Sequence, residues 1–172
     1  AHHKAARLAL GHVLIRLARW PEAEKHVMKL RQDYPDESEP LYLAALVAFQ
    51  GGQMEQVCEL AQRALARGDK RAEIYKLLAL AEYLLLRPSQ FETHIRTALK
   101  LNPLDADAHY HLGRYFFEDK RYSEALSEFQ AALKLQPQLY KVRYYAGLIY
   151  EAQNDGARAQ EEYQLAIQII ER

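Results

Sequence analysis

The sequence of 172 residues is poor in the features that mark disulfide-bonded, membrane-spanning and nucleic-acid-binding proteins. Its single cysteine, Cys58, excludes an internal disulfide and most thiolate metal sites. No apolar run approaches the ~18 residues of a membrane span. Lys plus Arg and Asp plus Glu both number 23, so no net positive charge is available to attract nucleic acid. We therefore predict a protein or peptide partner, with no nucleic acid and no membrane span.

The first residues carry little structural information. The chain begins AHHK without an initiator methionine, and no signal peptide is recognisable, so we expect residues 1–3 to be a tag remnant or a disordered start. With 49% apolar residues, the chain as a whole has the composition of a folded, soluble domain. Such a domain suits the cytoplasm and the periplasm alike.

A small residue recurs every 34 positions along the chain, in a column made of Gly11, Ala45, Ala79, Gly113 and Gly147. Twelve residues after each of these comes a second column, made of Ala23, Val57, Phe91, Ala125 and Ala159. Proline occupies three of five places in a later column, at Pro35, Pro103 and Pro137. The period holds without insertions, so the chain is predicted to consist of five tandem repeats, at residues 4–37, 38–71, 72–105, 106–139 and 140–172.

Each repeat is predicted to be a pair of antiparallel helices. Glycine and proline cluster at two phases of the repeat, and between them apolar residues recur at i, i+3, i+4 and i+7, without strand-like alternation. Glycine in a helix interior costs about 1 kcal/mol relative to alanine. We therefore expect Gly113 to meet a small residue of the second helix, so that the two axes approach closely.

This spacing resembles the tetratricopeptide repeat family over residues 4–172. The fourth repeat matches the family pattern best, at Leu112, Gly113, Phe116, Ala125, Phe129, Ala132 and Pro137. The resemblance implies an all-α solenoid, a right-handed superhelix of five antiparallel helix pairs. The third repeat departs from the pattern, with Glu82 in the aromatic column and Phe91 in a small-residue column, and we expect altered helix packing there.

The resemblance also implies that the first helix of each repeat lines a concave face that binds peptides or helices. Positions 2, 5, 9 and 12 of the repeat share one helix face. The predicted partner-binding residues on that face are Tyr42, Leu46, Phe49, Lys76, Leu80, Tyr83, Tyr110, Arg114, Phe117, Lys141, Tyr144 and Leu148. Aromatic side chains supply a large contact area with few rotatable bonds. The alternative is that some of these aromatics belong to the core between repeats.

The predicted function is a non-catalytic protein–protein interaction scaffold that binds an extended peptide or amphipathic helix in the concave groove. The alternative is a regulatory or substrate-presenting arm of a larger protein whose enzymatic part lies outside this segment. Some family members clamp a terminal carboxylate. Lys76 and Lys141 match two clamp positions, whereas Leu80, His111 and Tyr145 replace the remaining donors, which argues against such a clamp.

No catalytic, cofactor or metal site is predicted. Asp105 with His109 and Asp107 with His111 have i, i+4 spacing, but acidic residues at a helix start favour the helix dipole, and further ligands are missing. Glu55 and Glu59 flank Cys58 at helical spacing and would oppose thiolate formation. We therefore predict that the chain is not an enzyme and needs no cofactor.

Both terminal helices are more apolar than the end of a solenoid usually is. Leu10, Val13 and Leu17 are expected to face a preceding repeat, with Leu8 and Ile15 facing the groove, and the last helix ends LAIQII. Two hypotheses follow: the parent protein continues with more helices or another domain, or the ends pair between molecules.

Overall fold

The computed structural model describes residues 2–171, which form ten α-helices and no strand. The helices are α1 (His2–Arg16), α2 (Trp20–Asp33), α3 (Ser38–Gln50), α4 (Met54–Ala66), α5 (Ala72–Leu84), α6 (Pro88–Leu101), α7 (Ala106–Glu118), α8 (Tyr122–Leu135), α9 (Tyr140–Ala152) and α10 (Gly156–Ile170). From α3 onward, first helices begin 34 residues apart, and so do all the second helices. Ala1 and Arg172, which end the predicted first and last segments, lie outside the described residues. The repeat limits stay a prediction.

The chain divides into two compact units, residues 1–101 and residues 102–172. In unit 1 each helix pair packs as a hairpin, α3 packs against α1 and α2, and α5 packs against α3 and α4. The core of this unit consists mainly of aliphatic side chains with almost no exposure, among them Leu30, Leu43, Leu60, Ile74 and Leu78. The single tryptophan, Trp20, is half-buried at the start of α2.

Unit 2 contains two hairpins, α7 with α8 and α9 with α10, and α9 packs against both α7 and α8. Its core is more aromatic than that of unit 1, with Phe116 and Phe129 fully buried beside Leu112, Val142 and Ile149. The predicted fold class, an all-α array of helical hairpins, is confirmed.

The turn inside every hairpin has the same backbone conformation. The second residue after the end of each first helix has a positive φ of 53° to 73°. These residues are Ala18, Gly52, Leu86, Lys120 and Asn154. The next residue donates its N–H to the carbonyl five positions back at 2.8–2.9 Å, as in Gln53 N to Ala48 O and Arg121 N to Phe116 O. This is the Schellman closure of a helix end, and it recurs every 34 residues although the residues that form it differ.

The packing around Gly113 and Gly147 includes an aromatic ring from the second helix of each hairpin. A Cβ atom at Gly113 would lie 2.5 Å from Phe129 Cε1, and one at Gly147 would lie 2.4 Å from Tyr163 Cε1. The glycine therefore faces an aromatic ring of the second helix, although Ala125 O also lies 3.3 Å away. Gly113 thus meets the small residue Ala125 of the second helix, as expected, and the ring of Phe129 also uses the space that the missing side chain leaves.

The third hairpin shows how the chain accommodates its departure from the repeat pattern. Glu82 is only 2% exposed, and its Oε2 atom lies 2.7 Å from Nδ1 of His94 on α6. Phe91 is fully buried and packs against Tyr83 with ring centroids 5.3 Å apart. A polar pair thus joins α5 and α6 at a position that is aromatic in the fourth and fifth repeats, at Phe116 and Tyr150.

None of the helices formed by residues 2–171 is long and apolar enough to cross a membrane.

Candidate protein-interaction surface

The predicted partner-binding residues of unit 1 are largely supported by their own core. Tyr42, Leu46 and Phe49 are half-buried and pack against the buried cluster of this unit. The guanidinium of Arg71 lies 4.6 Å from the ring centroid of Tyr42. Burial of the ring, which is the largest effect, raises the pKa of the Tyr42 hydroxyl. These side chains are therefore only partly exposed, and a cation covers one face of the Tyr42 ring.

Further along the same face, charged groups pair with one another. Arg71 binds Asp69 at 2.6 Å and Glu39 at 2.8 Å, and Glu39 also lies 2.6 Å from His12 Nε2. The remaining predicted residues of unit 1 are half-buried, namely Lys76, Leu80 and Tyr83. The surface of unit 1 is thus a mixture of half-buried apolar groups and neutralised ion pairs.

Unit 2 presents a continuous aromatic cluster instead. Tyr145 on α9 lies at its centre, with ring centroid distances of 6.1 Å to Tyr110, 5.3 Å to Phe117 and 6.0 Å to Phe129. Burial raises the pKa of the Tyr145 hydroxyl. Sequence reasoning considered Tyr145 only as the replacement of a clamp arginine, and missed it as the residue that joins α7, α8 and α9. Its position directly after Tyr144, on the adjoining face of the helix, was the available signal.

Beside this cluster lies an apolar cleft of about 660 Å³. Its walls come from α7, α9 and α10, and the lining residues are Tyr110, Tyr140, Lys141, Tyr144, Tyr145, Tyr163, Ala166, Ile167 and Ile170. The structure therefore brings together three predicted residues, Tyr110, Lys141 and Tyr144. The contribution of α10 was not predicted as part of a binding face, although the apolar LAIQII segment was noticed.

The three predicted residues in the cleft differ in accessibility. Tyr144 is 50% exposed and Lys141 is exposed, whereas Tyr110 is only 9% exposed and forms the floor. Arg114, Phe117 and Leu148 are half-buried and lie outside the lining. Arg114 lies 3.6 Å from Glu118 on its own helix.

Tyr163 connects the cleft to the helix packing beneath it. One edge of its ring lies against Gly147, and its hydroxyl donates a hydrogen bond to Glu151 Oε2 at 2.8 Å. Burial, followed by the hydrogen bond to Glu151, raises the pKa of Tyr163 to about 12. The ring is thus neutral in the physiological range and contributes an apolar wall.

The other polar groups considered in the sequence have structural partners. Asp105 caps α7 by accepting a hydrogen bond from Ala108 N at 3.0 Å. His109 lies 2.6 Å from Glu128 Oε2, and His111 lies 3.5 Å from Asp107. Within residues 2–171, no three potential metal ligands converge.

Cys58 is buried, and burial raises the pKa of its thiol. The acidic neighbour with the larger effect is Glu82 of α5, ahead of Glu55. The expectation of a poorly reactive thiol agrees with this direction, but its main cause is burial, which the spacing of Glu55 and Glu59 did not reveal.

The architecture of both units, with helical hairpins stacked at a fixed period, defines a helical-repeat protein of the kind that uses extended surfaces to contact other polypeptides. The profile of the tetratricopeptide repeat family matches residues 92–140 and 121–171. No curated protein sequence matches the chain.

Solved structures agree with this class over nearly the whole chain. A crystal structure of MamA shares 19% sequence identity, covers 94% of both chains and superposes with a TM-score of 0.81. A structure of MamA MSR-1 shares 19% identity over 100% of this chain and 99% of the other, with a TM-score of 0.78. YrrB, described as a TPR protein with an unusual peptide-binding site, shares 21% identity over 95% of this chain and 84% of its own, with a TM-score of 0.75. The profile match identifies tetratricopeptide repeats over residues 92–171, and the solved structures share the fold over nearly the whole chain.

Proposed function

We propose that the chain is a non-catalytic protein-interaction scaffold, and that the aromatic surface of unit 2 binds an extended peptide or an amphipathic helix. The observation that carries this proposal is the apolar cleft of about 660 Å³ between α7, α9 and α10. A surface of this apolar character is a typical site of contact with another polypeptide.

The residues of the cleft suit an apolar ligand with a negative charge at its edge. Tyr144 and Tyr140 expose large rings whose burial against a partner removes apolar area from water. Lys141 adds a cation at the rim, where an acidic side chain of the partner would set the orientation of the ligand. Tyr110 and Phe117 act indirectly in this proposal, since they hold Tyr145 in place beneath the exposed rings.

The other predicted residues extend the proposed contact surface beyond the cleft. In unit 2, Arg114 and Leu148 extend the surface along α7 and α9. In unit 1, the half-buried groups on the first helices would form a separate contact surface, made of Tyr42, Leu46, Phe49, Lys76, Leu80 and Tyr83. The peptide-binding site named for YrrB, a protein with the same fold, supports a peptide as the kind of ligand.

A selection of peptides followed by titration tests the proposal. A phage library of amphipathic peptides, with aromatic and acidic positions varied, is selected against the immobilised chain, and an enriched peptide is titrated by fluorescence anisotropy. We expect Tyr144→Ala to weaken binding about 10-fold, which corresponds to about 1.4 kcal/mol. Lys141→Glu should weaken acidic peptides selectively.

Leu104→Ala is the matched control, because Leu104 is an exposed apolar residue of unit 2 that does not line the cleft. Its affinity should equal that of the unmodified chain. Tyr110→Ala is a poor test, since Tyr110 is buried and its removal also disturbs Tyr145. If no peptide is enriched, or if Tyr144→Ala and Leu104→Ala bind equally well, the cleft is not the binding site.

A further inference from the structure

The outer face of α1 has the same pattern as helix faces that are buried elsewhere in the molecule. Leu10 and Val13 are 47% and 48% exposed. The positions 34, 68 and 136 residues later lie on α3, α5 and α9, each of which packs against the hairpin before it. Nearly all of these positions are buried, namely Ala44, Leu78, Ala81, Ala146 and Ile149, with Val47 half-buried. The α1 face is therefore built like a surface that docks onto a hairpin.

The cleft of unit 2 is the matching acceptor. Within this unit, α9 docks onto α7 and α8 by placing Tyr145 against Tyr110 and Phe129, at 6.1 Å and 6.0 Å. The residues 34 positions after Tyr110 and Phe129 are Tyr144 and Tyr163, whose rings lie 6.0 Å apart and line the cleft. The cleft thus repeats, one hairpin later, the surface that receives a helix inside the molecule.

We infer that the occupant of this cleft is α1 of a second copy of the chain, which docks as α9 docks onto α7 and α8. This inference rests on the proposed function, because it names a partner for the same cleft. It differs in one respect: α1 carries no acidic side chain for Lys141, so its docking depends on the apolar contacts alone. The docking repeats a packing that the molecule already contains, that of α9 against α7 and α8. Leu10 and Val13 of one copy cover the exposed Ile167 and Ile170 of the other.

The sizes of the side chains agree with this arrangement. The residue of α1 that corresponds to Tyr145 is Ala9, and the one that corresponds to Val142 is Ala6. Small residues at these two places leave room for the rings of Tyr144 and Tyr163, which project from the acceptor. A helix with a narrow apolar face thus meets a cleft with bulky walls.

The contact joins two different surfaces, so every associated pair keeps one unoccupied α1 face and one unoccupied cleft. Association therefore extends beyond two copies. Two variants separate the surfaces: Val13→Lys blocks the α1 face, and Ile167→Lys blocks the cleft. Both residues are about half exposed, so each variant is expected to fold, which circular dichroism checks.

Sedimentation equilibrium over a range of concentrations is the measurement. The unmodified chain should rise above its monomer mass of 19.9 kDa as concentration increases, while each variant alone stays at that mass. An equimolar mixture of the two variants should form a 1:1 pair of twice the monomer mass and no larger species, because one variant keeps the cleft and the other keeps the α1 face.

Leu86→Lys is the control, since it places the same charge on an exposed leucine outside both surfaces and should associate like the unmodified chain. A chain that stays monomeric at every concentration overturns the inference. So does a mixture of variants that fails to pair, since the contact would then not join α1 to the cleft. A cleft that binds selected peptides in a strictly monomeric chain overturns this inference alone and leaves the proposed function standing.

Discussion

At the scale of single residues, two glycines decide how the hairpins of unit 2 close. Gly113 and Gly147 each lie against an aromatic ring from the second helix of the hairpin, Phe129 and Tyr163 respectively. The ring contacts replace the volume of the missing side chain, so the low helix propensity of glycine is offset by packing. The same two rings then contact the next helix or line the cleft, which links local packing to the candidate site.

The first prediction concerns Gly113→Ala. In an exposed helix this change stabilises by about 1 kcal/mol. Here the new Cβ would lie 2.5 Å from Phe129 Cε1, so the ring must move, and we expect a loss of about 1–3 kcal/mol in the free energy of unfolding. Urea denaturation measures it. Gly156→Ala is the control, because no atom lies within 4 Å of its Cβ position, and it should be neutral or slightly stabilising. Equal effects of the two changes would contradict the ring contact.

The second prediction concerns the pH dependence of unit 2. The pKa of Tyr163 is raised from 10.0 to about 12, so the folded protein keeps a proton that the unfolded chain has lost between these values. The stabilisation is fully present below pH 10 and is lost as the pH rises toward 12. Tyr163→Phe keeps the ring against Gly147 and removes the hydroxyl, so its stability should fall less steeply above pH 10. Urea denaturation at pH values on both sides of 10 measures the difference, and parallel curves would refute the role of Tyr163.

At the scale of elements, the molecule repeats one turn five times with five different residues. The positive-φ position is occupied by Ala18, Gly52, Leu86, Lys120 and Asn154, and glycine is the residue that adopts this conformation without steric cost. Helix boundaries were predictable from proline, glycine and the apolar period. The shared turn conformation could not be predicted, because the residues at the positive-φ position have no chemical property in common. The backbone hydrogen bonds that close each helix impose this conformation.

The third prediction follows from this turn. Leu86 has a φ of 57° and is 87% exposed, so its side chain contributes strain and little packing. We expect Leu86→Gly to stabilise the protein by about 1 kcal/mol. Thermal denaturation followed by circular dichroism measures it. The reverse change, Gly52→Ala, places a side chain where φ is 73° and should destabilise by a similar amount. A drop in the melting temperature of Leu86→Gly would show that the turn is not strained.

The third hairpin contains a contact between two helices that the repeat pattern could not predict. Glu82 and Phe91 were recognised as departures from the repeat, and altered packing was expected. The partner of Glu82, His94, could not be identified from the sequence, because the pair depends on how α5 and α6 rotate against each other. A buried carboxylate needs such a partner, and the 2.7 Å contact supplies it.

At the scale of the whole molecule, the repeat period predicted the helix content and the pairing of helices. The candidate site was predicted less completely. The expectation that positions 2, 5, 9 and 12 of each repeat share one helix face identified Tyr110, Lys141 and Tyr144, which line one cleft. It could not distinguish exposed rings from supporting ones. It also overlooked α10, since a rule based on first helices assigns no binding role to Ile167 and Ile170. Those assignments require the packing of α9 on α7 and α8.

The position of Trp20 has a practical consequence for spectroscopy. This half-buried indole starts α2 in unit 1, whereas unit 2 contains tyrosine and phenylalanine but no tryptophan. Emission excited selectively at the red edge of indole absorption therefore monitors residues 1–101 alone. Tyrosine absorbance is weighted toward residues 102–172, where the aromatic cluster lies. The unmodified chain thus carries separate optical reporters for its two parts, and no attached dye is needed to follow them.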